Sequence, residues 1–124
     1  MNRWWTRGVP FRAEFIRCRH GDCIEVCPRG GGASICGVAV VRLARIHDPD
    51  DRHGPGNGHT AAATVLGALL AGRALTVIPR RSWPDPYGRI VAEVLVDGLN
   101  VSNELVRLGL CVRWRAGVRR RSPS

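Results

Sequence analysis

The chain has 124 residues, with 19 basic against 10 acidic side chains and a formal charge of +9, and every basic residue is arginine. That length fits one domain and leaves little for a second, while 44% hydrophobic and 23% charged residues exclude a disordered polymer. No run approaches the roughly 20 apolar residues of a membrane span, and the basic excess points to a polyanionic partner, of which nucleic acid is the commonest.

Residues 1–10 read as an N-terminal extension. It is basic, but no apolar core of a secretory signal follows it. A cytoplasmic protein is the expectation, with export through a missing leader as the alternative. Phe11, Ala13 and Phe15 alternate, which predicts a strand over 11–19. Gly21-Asp22 makes a turn, Cys23 to Cys27 a second strand, and Pro28 to Gly32 a loop. Val38 to Ile46 predicts a third strand, rich in β-branched residues. A turn-rich stretch from His47 to Asn57 follows. Thr60 can cap a helix from Ala61 to Ala71, with Gly72 as its stop. That helix has almost no polar face, so it is expected to be buried.

Strands over 74–78 and 90–96 flank the turn cluster from Ser82 to Gly88. Asp97-Gly98 turns the chain, and Asn100 or Ser102 can cap a short amphipathic helix over 104–108, stopped by Gly109. Residues 115–124 read as a basic tail behind a domain spanning 11–114. The class is mainly β with helices (α+β). Three strands, a helix, two strands and a helix suit a five-stranded Greek-key barrel of the oligonucleotide-binding type, the OB-fold. One buried helix and one or two short ones complete it. A monomer is expected.

The five cysteines, Cys18, Cys23, Cys27, Cys36 and Cys111, are an odd number, against a complete disulfide framework. Cys18, His20, Cys23 and Cys27 crowd together, but their spacing is wrong for paired zinc knuckles and no second cluster closes the site. They read as free thiols filling strand positions.

Both faces of the third strand are apolar apart from one arginine each, Arg42 and Arg45. An arginine on an apolar face is costly unless an anion pairs with it. Arg45, near the strand end, can snorkel to water. Arg42 is deeper and needs a partner. Downstream, His47-Asp48-Pro49-Asp50-Asp51 holds three carboxylates in a tight turn, and Asp22 offers another from a different connection. In Asp85-Pro86-Tyr87-Gly88-Arg89, a tyrosine and an arginine flank a glycine at the mouth of a strand. Such a pair can stack a base and clamp a phosphate.

In order, Gly21-Asp22-Cys23, Val41 to Asp50, Asp85 to Arg89, Val96-Asp97-Gly98 and Asn103 to Leu110 resemble the staphylococcal nuclease (thermonuclease-like) family, over about residues 11 to 114. The resemblance implies an OB-fold that hydrolyses phosphodiesters of DNA and RNA with calcium, leaving 3′-phosphates. Single-stranded nucleic acid is the favoured partner. Arg42 and Arg89 would grip the scissile phosphate, and Asp50 would orient or deprotonate the attacking water. Tyr87 would lie against the nucleotide. Asp22 would bind the metal, joined by Asp48 and His47.

The pattern also departs from the family. His47 stands where the first aspartate of the turn is expected, with Asp48 one residue later. Asp50 replaces a glutamate, Cys23 a threonine and Pro86 a basic residue. Imidazole suits softer metals better than calcium, so another divalent metal is the alternative cofactor. A non-catalytic OB-fold module, binding nucleic acid or protein through a degenerate site, is the alternative function.

Overall fold

A computed structural model describes residues 4–29, 37–50 and 60–113 of the chain. The glycine run 30–32, Cys36, Asp51 with the turn residues after it, and the tail from residue 114 lie outside the described residues. In chain order the elements are β1 (Phe11–His20), β2 (Cys23–Arg29), β3 (Ala39–Leu43), β4 (Ile46–His47), α1 (Ala61–Leu70), β5 (Ala74–Pro79), β6 (Ile90–Val96), β7 (Leu99–Asn100), α2 (Val101–Arg107) and β8 (Val112–Arg113).

β1 and β2 pair antiparallel about the Gly21-Asp22 turn, with register shifts between Phe15 and Arg17 and between Cys18 and His20. Such irregularities bend and coil a strand. The bent β1 serves two neighbours, because residues Phe11 to Glu14 also pair with β5. The sheet then runs β3-β2-β1-β5-β6. A parallel pairing of β3 with β6, Val41 opposite Ile90 and Leu43 opposite Ala92, closes it on itself. The fold is a closed five-stranded mixed barrel of OB type, as expected from the strand order.

Alternation fills the barrel. Ile24, Val26, Val41, Leu43, Val77 and Val94 point inward and are fully buried. Helix α1 covers one end, with Leu66 and Leu70 at 0% exposure. The Thr60 hydroxyl caps α1 by accepting the Ala63 N–H at 3.1 Å. No helix among the described residues is long and apolar enough to cross a membrane.

Three details differ from the sequence reading. Helix α2 begins at Val101, ahead of the amphipathic stretch, because the Asn100 side-chain oxygen Oδ1 accepts the Asn103 N–H at 3.0 Å and so sets the cap. The two-residue strands β7 and β8 pair with β6 and β4, too briefly to leave an alternation in the sequence. The third expected strand is broken: β3 stops at Leu43, and the chain turns through Arg45, whose φ is 73°, before β4 resumes.

Arg45 does not snorkel. Its Nε and Nη2 donate to the Glu93 carboxylate at 2.7 and 3.0 Å, and Nη2 also reaches the Asn103 side-chain oxygen at 3.0 Å. Glu93 accepts further bonds from Asn100 at 3.1 Å and Arg80 at 3.3 Å. The buried Ser102 hydroxyl donates to the Ala44 carbonyl at 3.0 Å. This network locks the break in the strand to β6 and α2. The left-handed backbone at a bulky residue costs on the order of 1 kcal/mol, and the ion pair explains why it is held.

Burial pushes the Glu93 carboxyl up, but the bonds from Arg45 and Asn100 and the charges of Arg45 and Arg80 outweigh it, holding the group below its ordinary value. Glu25 is also held down, first by the hydrogen bond from Arg19, against burial. A depressed folded-state pKa contributes stability that is complete above the ordinary glutamate value of 4.5 and is lost as pH falls through the folded-state pKa. Glu93→Gln should therefore lower unfolding free energy by about 2 kcal/mol at neutral pH, measured by urea denaturation. Below pH 4.5 the gap to wild type should shrink. A constant gap down to acid unfolding would contradict this role for the Glu93 charge.

Candidate active site

The site grows from one close approach. Gly21, in the β1–β2 turn, faces the Asp48 carboxylate and Ala62 of α1. A Cβ on Gly21 would collide with Asp48 Oδ2 and lie 2.7 Å from the Ala62 Cβ. Glycine is required here for room, since side-chain atoms occupy the space a Cβ needs. The Gly21 carbonyl accepts from the Cys111 thiol at 3.7 Å, which ties the C-terminal segment to the same turn.

Asp22 follows and is buried. Its Oδ2 accepts the Asp48 N–H at 3.0 Å and lies 3.5 Å from Arg42 Nη1. Its carbonyl accepts the Leu43 N–H at 2.8 Å. Asp48, only 3% exposed, is bonded on both carboxylate oxygens. Oδ1 accepts the Asp50 N–H at 2.9 Å, and Oδ2 accepts the Thr60 hydroxyl. A buried carboxylate left without such partners is costly. Asp48 thus brackets the acidic turn between Asp22 and the start of α1, and it leaves the Asp50 side chain on the exposed side.

Arg42 sits on β3 directly opposite Cys23 of β2. Its Nη1 donates to the carbonyls of Ile46 at 2.8 Å and Leu43 at 3.0 Å. The partner the sequence demanded is therefore a pair of turn carbonyls backed by Asp22. One corner of the guanidinium is fixed, while Nε and Nη2 take no partner from the described residues. With 24% of its side chain exposed, Arg42 can offer that open edge to an anion in two-point contact.

Arg89 enters from the turn before β6. Asp85 builds this turn: Oδ1 accepts the N–H groups of Tyr87 and Arg89, each at 2.9 Å, and Oδ2 accepts Arg89 Nε at 2.6 Å. Burial opposes ionisation of Asp85, but these bonds outweigh it and hold its carboxyl low. The Arg89 guanidinium lies 5.2 Å from the centre of the Tyr87 ring, a cation–π contact, and Tyr87 is 82% exposed.

Both arginines adjoin Cys23, Arg42 as its cross-strand partner and Arg89 through charge and a side-chain hydrogen bond. Burial pushes that thiol up to about 11, and its remaining electrostatic neighbours are Arg89, Asp22 and Arg19. Burial with Asp48 and Asp22 pushes Cys111 up to about 12. These thiols are protonated at neutral pH and are poor nucleophiles or metal ligands. On the other side, Arg42, Arg45, Arg81 and Asp85 line one surface cavity of about 250 Å³ together with the apolar side chains of Leu43, Ile46 and Val91. Asp22, Arg42 and Arg89 thus adjoin one another around Cys23, and Asp50 is two hydrogen bonds away, through Asp48.

The resemblance implies a divalent cation held by Asp22, Asp48 and His47. Hard cations take six to eight oxygens. Among the described residues no group of three or more His, Cys, Asp or Glu side chains is arranged to hold a metal. Both Asp48 oxygens are committed, and Asp22 Oδ1 is the carboxylate oxygen left without a hydrogen bond from the described residues. This donor set does not fit calcium as arranged.

Asp85 and Gly21 are the residues whose roles the sequence reading did not assign. Asp85 carries a usable signal, an aspartate two residues before a Tyr-Gly pair in a turn cluster, where its side chain can bond the backbone ahead. Gly21 carries none, because what it approaches lies 27 and 41 residues away (48 − 21 and 62 − 21). With that geometry established, residues 40–122 match the family model described as staphylococcal nuclease homologue. No curated protein matches the chain.

Gly21→Ala should force Asp48 or α1 to move, lowering stability by about 1–3 kcal/mol, read from the urea midpoint; an unchanged midpoint would contradict the close approach. Asp85→Ala should release the turn, and the amides of Tyr87 and Arg89 should then exchange with deuterium faster than in wild type while those of β6 are unaffected. Equal protection in the two proteins would show that another group holds the turn.

Proposed function

Since the chain belongs to the staphylococcal nuclease homologue family, we propose that it is an endonuclease that hydrolyses phosphodiester bonds of single-stranded DNA or RNA. The observation that carries this reading is the pairing of two anchored guanidiniums, Arg42 and Arg89, about the Cys23 position beside Asp22. Two permanently charged forks, each fixed at one corner by the protein, suit an oxyanion that gains charge as phosphorus becomes five-coordinate. Asp50 is the general base or orienting group. Its exposed carboxylate takes a proton from water, the resulting hydroxide attacks phosphorus, and the bond to the 5′ oxygen breaks. That oxygen takes a proton from solvent to leave as a 5′-hydroxyl, the 3′-phosphate remains, and Asp50 returns its proton to solvent. Tyr87 packs against the nucleotide. The net charge of +9 draws the polyanion in, an attraction that weakens with salt.

The family resemblance adds a divalent cation to this proposal as an activator drawn from solution, since Asp22, Asp48 and His47 form no preformed calcium shell. Asp48 would have to release Asp50 or Thr60 before joining it. That same commitment of the Asp48 oxygens favours a second reading, a non-catalytic barrel that binds nucleic acid through the cleft.

Digestion of single-stranded DNA with Ca²⁺, Mn²⁺ or EDTA separates the two. The nuclease reading expects cleavage that rises with added cation, with kcat falling about 10²-fold in Arg42→Lys and comparably in Asp50→Ala. Absence of cleavage under all three conditions, with oligonucleotide binding intact, would give the chain to the binding-only reading.

A further inference from the structure

A second feature adjoins the cleft. Trp4 and Trp5 precede β1, and neither belongs to the matched segment 40–122. Trp4 meets the rings of Trp5 and Phe11 edge-on, at 5.6 and 4.9 Å between centres. Trp5 and Phe11 pack against the barrel core. Trp4 lies outside that packing and is 40% exposed. The two tryptophans wall a groove of about 230 Å³ with Val38, Val40, Gly88 and Ile90.

Two hydrogen bonds connect the segment that carries the groove to the segment that carries Arg81. The Trp5 indole N–H donates to the Arg81 carbonyl at 3.4 Å, and the Gly8 N–H donates to the Pro79 carbonyl at 2.8 Å. Arg81 itself lines the cavity of Arg42 and Asp85. Gly88, on the groove, stands between Tyr87 and Arg89. Along β3, Val40 faces the groove and Arg42 the cleft. They share one face of the strand, about 7 Å apart.

We propose that this groove is a base-stacking subsite, taking the base of a nucleotide that flanks the phosphate held by Arg42 and Arg89. The inference rests on the nuclease reading above. Aromatic walls beside guanidiniums are the two components of single-strand binding, with stacking on every base type and attraction to the backbone. Charge selects this occupant over a second copy of the chain. A surface whose basic residues exceed its acidic ones by nine repels its own copy and attracts a polyanion. The subsite gives the protein a preference for substrates longer than a dinucleotide.

The test is calorimetric titration of the full chain with cleavage-resistant phosphorothioate oligothymidylates of two and six nucleotides. Wild type should bind the longer one more tightly. Trp4→Ala should lose about 10-fold of that gain, and Trp4→Phe, which keeps an aromatic face, should retain most of it. Val38→Glu places a carboxylate at an exposed wall position and should lose it without touching the aromatic packing. Arg42→Ala should weaken binding of both lengths.

A length gain that survives both Trp4→Ala and Val38→Glu would overturn the subsite while leaving the nuclease reading intact. No binding of either oligonucleotide by wild type would overturn both. Self-association that Trp4→Ala abolishes, with the length gain unaltered, would assign the groove to a second copy and overturn the proposal.

Discussion

The site depends on one steric constraint, the absence of a side chain at Gly21. Because no Cβ stands there, the β1–β2 turn can press against the Asp48 carboxylate and the first turn of α1. That approach brings the Asp48 N–H to the Asp22 carboxylate, and Asp22 in turn lies beside Arg42. Three segments distant in sequence meet at a point smaller than a methyl group. Close packing of this kind transmits displacement instead of absorbing it, so the position of Arg42 is coupled to the position of α1.

Within the locus the charges are arranged as a set of half-filled valences. Arg42 spends Nη1 on the Leu43 and Ile46 carbonyls, and its other edge takes no partner among the described residues. Arg89 is held through Nε by Asp85, which is itself held by the backbone it folds. Each guanidinium is oriented before any ligand arrives, so less conformational freedom is lost on binding an anion. Asp48 follows the opposite logic. Its oxygens are consumed by internal bonds, which makes it a brace for the acidic turn. The residue that follows His47 therefore serves the architecture of the site, and the preformed part of the cleft is its pair of oriented guanidiniums.

The neighbouring Arg45 shows how differently two arginines on one short segment can be used. Glu93 binds Arg45 in a two-point ion pair, with Asn103 beside it, and fastens the break after β3 to β6 and α2. Arg42, three residues earlier, is caught at one corner. Alternation alone would give the two residues equivalent roles on opposite faces. The positive φ at Arg45 breaks that equivalence, and it separates a structural arginine from one available to a ligand.

The sequence by itself determined the fold class, the boundaries of β1, β6 and α1 to within a residue or so, and the family. These are written in local code: alternation, the Thr60 cap, the Gly72 stop and a run of short motifs in fixed order. It also nominated Arg42, because a charge on an apolar strand face demands a partner whatever the tertiary context. Only the tertiary structure decided who that partner is, since Asp22 and the Leu43 and Ile46 carbonyls become neighbours only after β2 and β3 pair and the chain turns at Arg45. The bracing role of Asp48, the anchoring of Arg89 by Asp85 and the need for glycine at position 21 arise in the same way. Each is a statement about distances between segments, and hydrogen bonds of about 3 Å are set by how the barrel closes, which no local pattern encodes.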